Sequence, residues 1–310
     1  CRIRNKLFSF NSDFFIVILG MKIDLITILG PTATGKTKLA VQLAECFNGE
    51  IISADSRQVY RGMNIGTGKD LSEYLFNNKP IPYHLIDIIN PTEEFNLYSF
   101  QNLFYKFFDK IKSKNKLPFL VGGTGMYLSS ILQNYNLNKA DFETVQQEYF
   151  PLNDEALRNV LKELNPDLHN TTDLNDRKRI LNAIAIAKTQ NTNIDNAKIN
   201  SLNIGVSLSR DEIKKRITAR LKKRLDEEGM IDEVKTLMDS GVSYDKMIFF
   251  GLEYKFIAQY LRGELNKNDM FQKLNSAIHS FAKRQMTWFR RDENIKWIDD
   301  VIGFDFLGMH

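Results

Sequence analysis

The sequence predicts an α/β fold with a parallel sheet core, an inserted helical subdomain and a helical C-terminal region. Apolar strand-like runs alternate with helical patterns along the first 130 residues or so, which indicates parallel strands joined by crossover helices. A glycine-rich turn joins the first strand to the first helix at residues 30–37. Residues 134–200 are polar, rich in asparagine and helical in pattern, with no clear strand, and this predicts an insertion.

The apolar runs and helical patterns predict five strands and several helices along the chain. Strands are predicted at residues 25–29, 50–53, 84–88, 118–121 and 202–208. Helices are expected after the glycine-rich turn, at residues 99–112, and through most of the C-terminal third as far as residue 290. The sequence thus divides into a first part of the core (21–133), the insertion (134–200) and the core completion with the helical C-terminal region (201–310). Residues 1–20, which precede Met21, are expected to be a non-native or mis-annotated extension.

The composition is that of a globular protein with a mildly basic balance. Hydrophobic residues make up 43% of the 310 residues, enough for a full core, and the net charge is +4. Positive charge is concentrated at residues 210–224 and 283–291, which favours a polyanionic partner. Cys1 and Cys46 lack metal-ligand spacing, and the apolar run at 14–19 is too short to span a bilayer. We therefore expect a cytoplasmic protein with no membrane anchor.

Residues 30–37 read GPTATGKT and follow directly on an apolar strand, the arrangement of a phosphate-binding P-loop. Its glycines let successive backbone N–H groups point into one concavity, and the helix start adds the positive end of its dipole. Lys36 can reach the outer phosphate oxygens, and the Thr37 hydroxyl is placed to bind a Mg²⁺ that bridges the phosphates. A chance match is the alternative, but the strand before and the amphipathic helix after argue against it. The core is therefore predicted to be P-loop NTPase-like and to bind a phosphorylated ligand.

Two further polar turns follow predicted strands. Asp55 stands at the end of the second strand, at the sheet edge where open parallel sheets bind ligands. A carboxylate there could act as a base or hold Mg²⁺, and the alternative is a helix or loop cap. Thr124 lies in VGGTGMY, again a strand, a glycine turn and a helix start, which would place its hydroxyl in the same crevice. A bare turn is the alternative for this motif.

Five segments occur together along the chain: GPTATGKT (30–37), ADSRQVYRGMNIGTGK (54–69), HLIDI (84–88), VGGTGMY (121–127) and AKRQMTWFR (282–290). In combination they resemble the tRNA dimethylallyltransferase family, also called the tRNA isopentenyltransferases, over nearly the whole chain from Met21. The combination is far more specific than the P-loop, which many unrelated functions share. The chain resembles a divergent bacterial member, because Asn182, Glu253, Ile278 and His279 depart from the family pattern.

The resemblance implies transfer of a dimethylallyl group from dimethylallyl diphosphate to the exocyclic amine of the adenosine on the 3′ side of the tRNA anticodon. The position of Asp55 matches the family's proposed general base, and that of Thr124 matches a residue that contacts the bridging oxygen of the diphosphate. The P-loop and Mg²⁺ would stabilise the departing diphosphate, and no phosphoryl group moves. The implied diphosphate-binding residues are Gly30, Thr32, Ala33, Thr34, Gly35, Lys36, Thr37, Arg216 and Arg220.

The same resemblance implies a tRNA surface. The target base must leave the stacked anticodon loop, and the insertion would hold the anticodon stem-loop through its phosphates and shape. The implied tRNA-binding residues are Asp55, Ser56, Arg57, Gln58, Thr124, Asp176, Arg179, Lys283, Arg284 and Gln285. Two simpler alternatives stay open. Arg216 and Arg220 would form a solvated basic helix face, and Trp288 and Phe289 would belong to a helix core.

Two other classes of function also stay open. A P-loop small-molecule kinase would share the first domain and bind ATP, but it would carry an arginine-rich lid rather than the GMNIGTGK segment. A non-catalytic RNA-binding module is favoured only by the basic C-terminal third. His84 and His279 belong to amphipathic patterns and are expected to be structural. We expect a monomer whose partners are tRNA, dimethylallyl diphosphate and Mg²⁺.

Overall fold

The computed structural model describes residues 23–137, 142–166, 174, 176–188 and 199–298. The chain forms two compact units: residues 133–198 make up the second, and the rest of the chain makes up the first. The predicted insertion, 134–200, differs from the second unit by one residue at its start and two at its end. The extension expected at 1–20, with its apolar run, lies outside the described residues.

The strands of the first unit are β1 (Leu25–Leu29), β2 (Gly49–Ala54), β3 (Leu75–Phe76), β4 (Lys79–Pro80), β5 (Tyr83–His84), β6 (Leu117–Gly122), β7 (Ser201–Val206) and β8 (Lys296–Ile298). The helices are α1 (Lys36–Cys46), α2 (Leu97–Ser113), α3 (Gly125–Leu132), α4 (Phe142–Tyr149), α5 (Asp154–Leu164), α6 (Arg177–Lys188), α7 (Arg210–Asp226), α8 (Met230–Asp239), α9 (Tyr244–Phe250), α10 (Leu252–Leu261) and α11 (Lys267–Phe289). Helices α4 to α6 form the second unit, and a short 3₁₀ helix at Leu71–Tyr74 precedes β3.

Six of these strands form one parallel sheet in the order β5-β2-β6-β1-β7-β8. Its central strands are buried on both faces, which explains their continuous apolar runs. Leu39 and Leu43 of α1 pack with Ile26 and Ile28 on one face, and Phe100 of α2 packs in the apolar cluster of the other face. The predicted α/β core with crossover helices is thus confirmed.

The predicted strand at 84–88 is wrong in most of its length, because only Tyr83–His84 pairs with β2. The backbone then takes positive φ values at Leu85 (64°) and Asp87 (55°), which end the strand. The Asp87 carboxylate accepts a hydrogen bond from the buried Lys69 ammonium, so this turn is tied to the GMNIGTGK segment. The small antiparallel pair β3–β4 and the edge strand β8 were not predicted, since two or three residues are too few to show a period.

The helical C-terminal region builds its own apolar core, to which Val59, Tyr60 and Met63 also contribute. Helix α7 begins where the Ser209 side chain accepts a hydrogen bond from the Glu212 backbone N–H, at 3.2 Å. Its buried stripe is spaced by four residues, at Ile213, Ile217, Leu221 and Leu225. This stripe fixes the rotation of the helix, and therefore the direction in which its arginines point.

The second unit is held together by apolar side chains of α4, α5 and α6, among them Leu157, Leu161 and Ile184. Asn153 caps α5 through a 2.9 Å hydrogen bond from the Ala156 backbone N–H. In the part of this unit that the structure describes, the regular elements are helical and no strand occurs. Across all described ranges, no helix combines the length and the apolar character that a membrane span needs.

Candidate active site

A cavity of about 340 Å³ lies in the first unit, where the loops after β1, β2 and β6 meet at one edge of the sheet. Each loop carries one of the motifs singled out in the sequence: the P-loop, the Asp55 turn and the Thr124 turn. The predicted site residues that line it are Thr32, Ala33, Gly35, Lys36, Thr37, Asp55, Ser56, Arg57, Gln58, Thr124, Arg220 and Gln285. Three separate stretches of sequence thus form one site, as expected at the carboxyl ends of parallel strands.

The P-loop curls between β1 and α1 because its backbone can adopt positive φ. Gly30 (φ 147°) passes so close to β7 that a Cβ there would lie 2.3 Å from the Val206 backbone oxygen. Gly35 (φ 81°) is the N-cap of α1. The buried Thr34 hydroxyl donates to the Pro31 backbone oxygen at 2.9 Å. Gly30 and Thr34 therefore shape the loop, and neither lines the cavity.

The cavity wall is rich in cations, of which Arg224 is buried and Lys36 and Arg220 are partly buried. Burial, followed by the nearby Arg220 guanidinium, lowers the pKa of Lys36 to about 8. Burial and the charge of Arg224 lower the pKa of Arg220 to about 10. The Lys36 ammonium donates to the Pro31 backbone oxygen at 2.6 Å, and Arg220 donates to the Thr32 hydroxyl. An anion bound among these groups would relieve their mutual repulsion, so the wall is suited to a polyanionic ligand.

The structure brings Arg220 to the cavity but not Arg216. The Arg216 guanidinium Nε donates to Glu212 Oε1 at 2.6 Å, one turn back along α7. Arg224, one turn beyond Arg220, lines the cavity and has a side chain only 4% exposed. Arg216, Arg220 and Arg224 are spaced by four residues, so the sequence alone does not indicate whether Arg216 or Arg224 joins Arg220 at the cavity. Arg224 is a functional candidate that the sequence analysis missed.

Asp55 and Thr124 are both fixed by backbone N–H groups of the turn after β2. Asp55 Oδ1 accepts from the N–H groups of Arg57 (2.8 Å) and Gln58 (3.2 Å), and the Thr124 hydroxyl accepts from Ser56 (3.1 Å). Within the described residues, the second carboxylate oxygen, Oδ2, has no hydrogen-bond partner. Asp55 thus serves as a loop cap through one oxygen while the other can accept a proton from a ligand.

Gln285 links two of the site's loops. Its side-chain oxygen accepts from the Thr32 backbone N–H at 2.9 Å, and its side-chain nitrogen donates to the Gly123 backbone oxygen at 2.8 Å. These bonds hold the P-loop against the Thr124 turn. The neighbouring Lys283 and Arg284 are exposed and do not line the cavity.

Trp288 and Phe289 belong to the helix core, as one of the alternatives had it. Both pack in the apolar cluster on the α2 face of the sheet, and the Trp288 indole N–H donates to the Ser129 hydroxyl at 3.0 Å.

Asp176 and Arg179 lie in the second unit and are exposed. There Asp176 Oδ1 accepts from the Arg179 backbone N–H at 3.0 Å and caps α6.

Carboxylates that belong to no sequence motif also line the cavity beside the cations, among them Glu73 and Glu253. Burial, then the nearby Asp70 carboxylate, raises the pKa of Glu73, and an interaction with the Thr37 side chain partly opposes this rise. Burial likewise raises the pKa of Glu253. Among the described residues, no group of three or more His, Cys, Asp or Glu side chains could hold a metal ion. Thr37 lines the cavity, and its hydroxyl could contribute one oxygen ligand to a divalent cation.

The positions that depart from the family pattern fall in different places. Glu253 and Ile278 line the cavity, whereas His279 contacts the Thr218 hydroxyl and does not. Asn182 lies in α6 of the second unit. His84 is also outside the cavity, where its Nε2 lies 2.8 Å from Glu50 Oε2.

Comparisons with known proteins agree on one family. A family model described as IPP transferase matches residues 58–292, and one described as isopentenyl transferase matches residues 21–89. The chain is 51% identical over 286 residues to tRNA dimethylallyltransferase 1 of Geotalea uraniireducens, with 90% of this chain and 93% of the relative covered.

Solved structures extend the similarity to the fold. The full-length tRNA isopentenylpyrophosphate transferase from Bacillus halodurans is 36% identical, with a TM-score of 0.66 and 89% of each chain covered. A eukaryotic dimethylallyltransferase acting on tRNA gives a TM-score of 0.70 at 23% identity, with 89% of this chain and 73% of that chain covered, a likeness of fold alone. With its motifs brought together in one cavity and half of its residues shared with a named relative, the chain belongs to the IPP transferase family.

Proposed function

We infer that this protein transfers a dimethylallyl group from dimethylallyl diphosphate to the exocyclic amine of the adenosine 3′-adjacent to the tRNA anticodon. One observation carries the inference: a cationic P-loop wall and a fixed carboxylate line the same cavity. The names of the relatives from Geotalea and Bacillus describe the same kind of transfer to tRNA.

The diphosphate would bind at the P-loop end of the cavity. Lys36, Arg220 and Arg224 contribute positive charge to the cavity wall, and the α1 N-terminus adds backbone N–H groups. They stabilise the negative charge that the diphosphate carries away as its bond to the allylic carbon breaks. We propose that Mg²⁺ binds the Thr37 hydroxyl together with diphosphate oxygens, where it would neutralise part of this charge.

The acceptor adenine would bind beside Asp55 and Thr124. The exocyclic nitrogen forms a bond to the allylic carbon, the carbon–oxygen bond breaks, and the diphosphate keeps the electron pair. Asp55 Oδ2 is proposed to take the proton that the amine loses, because Oδ1 is already held by the turn. The Thr124 hydroxyl would approach the bridging oxygen of the diphosphate.

The remaining tRNA contacts are proposals of the same kind. Ser56, Arg57 and Gln58 line the cavity that an extruded base would enter. The exposed Lys283 and Arg284, and Asp176 and Arg179 of the second unit, are proposed to contact the tRNA. We further propose that the enzyme acts as a cytoplasmic monomer. Sedimentation equilibrium with and without tRNA measures the oligomeric state, and a dimer would contradict it.

Nucleoside mass spectrometry tests the reaction directly. The protein is incubated with Mg²⁺, dimethylallyl diphosphate and undermodified tRNA, and the digested nucleosides should contain adenosine with one added dimethylallyl unit. Titration calorimetry with ATP and with dimethylallyl diphosphate tests the kinase alternative, which no feature of the cavity favours. Binding of ATP without binding of the allylic diphosphate, and no modified adenosine, would refute the proposed function.

A further inference from the structure

A cluster of aromatic and cationic side chains lies next to the cavity where α9 ends. Phe250 lines the cavity, whereas the adjacent Phe249 is 58% exposed. The Arg57 guanidinium carbon lies 5.1 Å from the Phe249 ring centroid, and the Lys246 ammonium nitrogen lies 5.2 Å from it. A single exposed apolar residue needs no explanation. An exposed ring with two cations about 5 Å from its centroid, one residue from a cavity wall, is a more specific arrangement.

Hydrogen bonds to backbone oxygens hold both cations near this ring. Arg57 donates from Nε to the Phe250 backbone oxygen (2.9 Å) and from Nη2 to the Phe249 backbone oxygen (3.0 Å). Lys246 donates to the Glu93 backbone oxygen at 2.8 Å. Because these acceptors are main-chain atoms, both cations keep their places whatever side chain stands at position 249. The Phe249 ring is more than half exposed and presents an aromatic surface to a ligand.

We propose that Phe249 is a stacking platform for an unpaired nucleobase next to the target adenosine, with Arg57 and Lys246 facing the flanking phosphates. The proposal rests on the proposed function. Extrusion of the target base breaks the stack in the anticodon loop and leaves its neighbours without a partner. An aromatic ring replaces that lost stacking for any base, and the two cations match the charge of the strand. The continuity from Phe250 to Phe249 carries the bound strand from the cavity to this surface.

The test measures the affinity of the full-length enzyme for an anticodon stem-loop by fluorescence anisotropy. The variants are Phe249→Ala, Phe249→Trp as the conservative replacement, and Leu75→Ala as a control. Leu75 is also an exposed apolar residue, 52% exposed, and does not line the cavity. Phe249→Ala should weaken binding roughly 5- to 100-fold, as loss of one base–aromatic stack does. Phe249→Trp should restore it, and Leu75→Ala should leave it unchanged.

Abasic stem-loops distinguish stacking from a general loss of structure. Each neighbour of the target adenosine is replaced in turn by an abasic nucleotide. At one of the two positions, the abasic change should weaken binding to the wild-type enzyme. The same change should alter the affinity of Phe249→Ala by no more than about twofold. Such non-additivity is expected when the base and the ring are in contact. Affinity for dimethylallyl diphosphate should be equal in all variants.

The failures are distinguishable. Unchanged stem-loop affinity of Phe249→Ala, or fully additive losses at both positions, would overturn the stacking role while wild-type prenylation still stands. If the wild-type enzyme produces no modified adenosine, the proposed function falls, and the stacking role falls with it.

Discussion

We predict that Glu233→Gln destabilises the first unit by about 2–5 kcal/mol, because Glu233 holds the loop that brings Gly66 to the cavity. Its Oε2 accepts from the backbone N–H groups of Asn64 (2.8 Å) and Ile65 (2.7 Å). Its Oε1 accepts from the Gly66 N–H (3.0 Å) and from the Tyr254 hydroxyl (2.8 Å). One carboxylate thus satisfies three consecutive backbone donors and one side-chain donor.

The magnitude follows from what an amide can replace. The glutamine nitrogen cannot accept, so at least one backbone N–H loses its partner, at a cost of about 1–3 kcal/mol. The bonds that persist lose their charge assistance, which is worth roughly another 1 kcal/mol. Since Glu233 is in the first turn of α8, removal of its charge also weakens a favourable interaction with the helix dipole, by about 0.3–1 kcal/mol.

Urea unfolding followed by tryptophan fluorescence measures this loss. The chain has two tryptophans, Trp288 and Trp297, and both lie in the first unit, so the signal reports on that unit. The matched control is Asp232→Asn, which removes an exposed charge from the same turn of α8 and should cost no more than about 1 kcal/mol. Equal losses in the two variants would refute the argument that hydrogen bonds to the loop are what matter.

The electrostatics and packing of the cavity lead to three more predictions. Because burial and Arg220 lower the pKa of Lys36 to about 8 and a diphosphate favours the charged ammonium, affinity for dimethylallyl diphosphate should be full below that pH and fall above it. Calorimetry across this range measures the effect, and constant affinity contradicts it. Gly122→Ala would place a Cβ 2.2 Å from the Ala54 backbone oxygen, and should lower the free energy of unfolding in urea by at least about 1–3 kcal/mol. An unchanged unfolding midpoint would show that β2 and β6 can move apart to accommodate the Cβ without loss of stability. Affinity for a tRNA stem-loop should fall steeply with salt, because phosphate contacts dominate, and a flat response in filter binding would rule out the basic surfaces as RNA contacts.

The parts of the site that could be predicted are those encoded by contiguous residues. The P-loop, the Asp55 turn and the Thr124 turn each combine a strand end, a turn and a chemical group within a few positions, so each could be recognised separately. Their convergence follows from the rule that parallel strands place their carboxyl ends together. The central strands and the C-terminal helices were predictable for the same reason, since each is a contiguous apolar run or a contiguous helical pattern.

The contacts that sequence reasoning missed depend on distant packing. Arg224 rather than Arg216 reaches the cavity because the buried stripe of α7 sets the rotation of that helix. Glu73 and Glu233 belong to no local motif. Glu73 interacts with Thr37, which is 36 residues away in sequence, and Glu233 binds a loop that is 167 to 169 residues away. The strand predicted at 84–88 was cut short by a tertiary pairing, that of Asp87 with Lys69, which no local pattern reveals.

The most direct test of the account is the single-turnover rate of dimethylallyl transfer by Asp55→Asn, with tRNA and dimethylallyl diphosphate both bound. The Asn side-chain oxygen can keep the hydrogen bonds from Arg57 and Gln58, so the turn is retained while the proton acceptor is lost. Asp109→Asn, at an exposed position of α2, is the control. We predict a rate lower by about 100-fold or more, with both substrates bound as tightly as by the wild type. A rate close to that of the wild type would show that Asp55 is not the base.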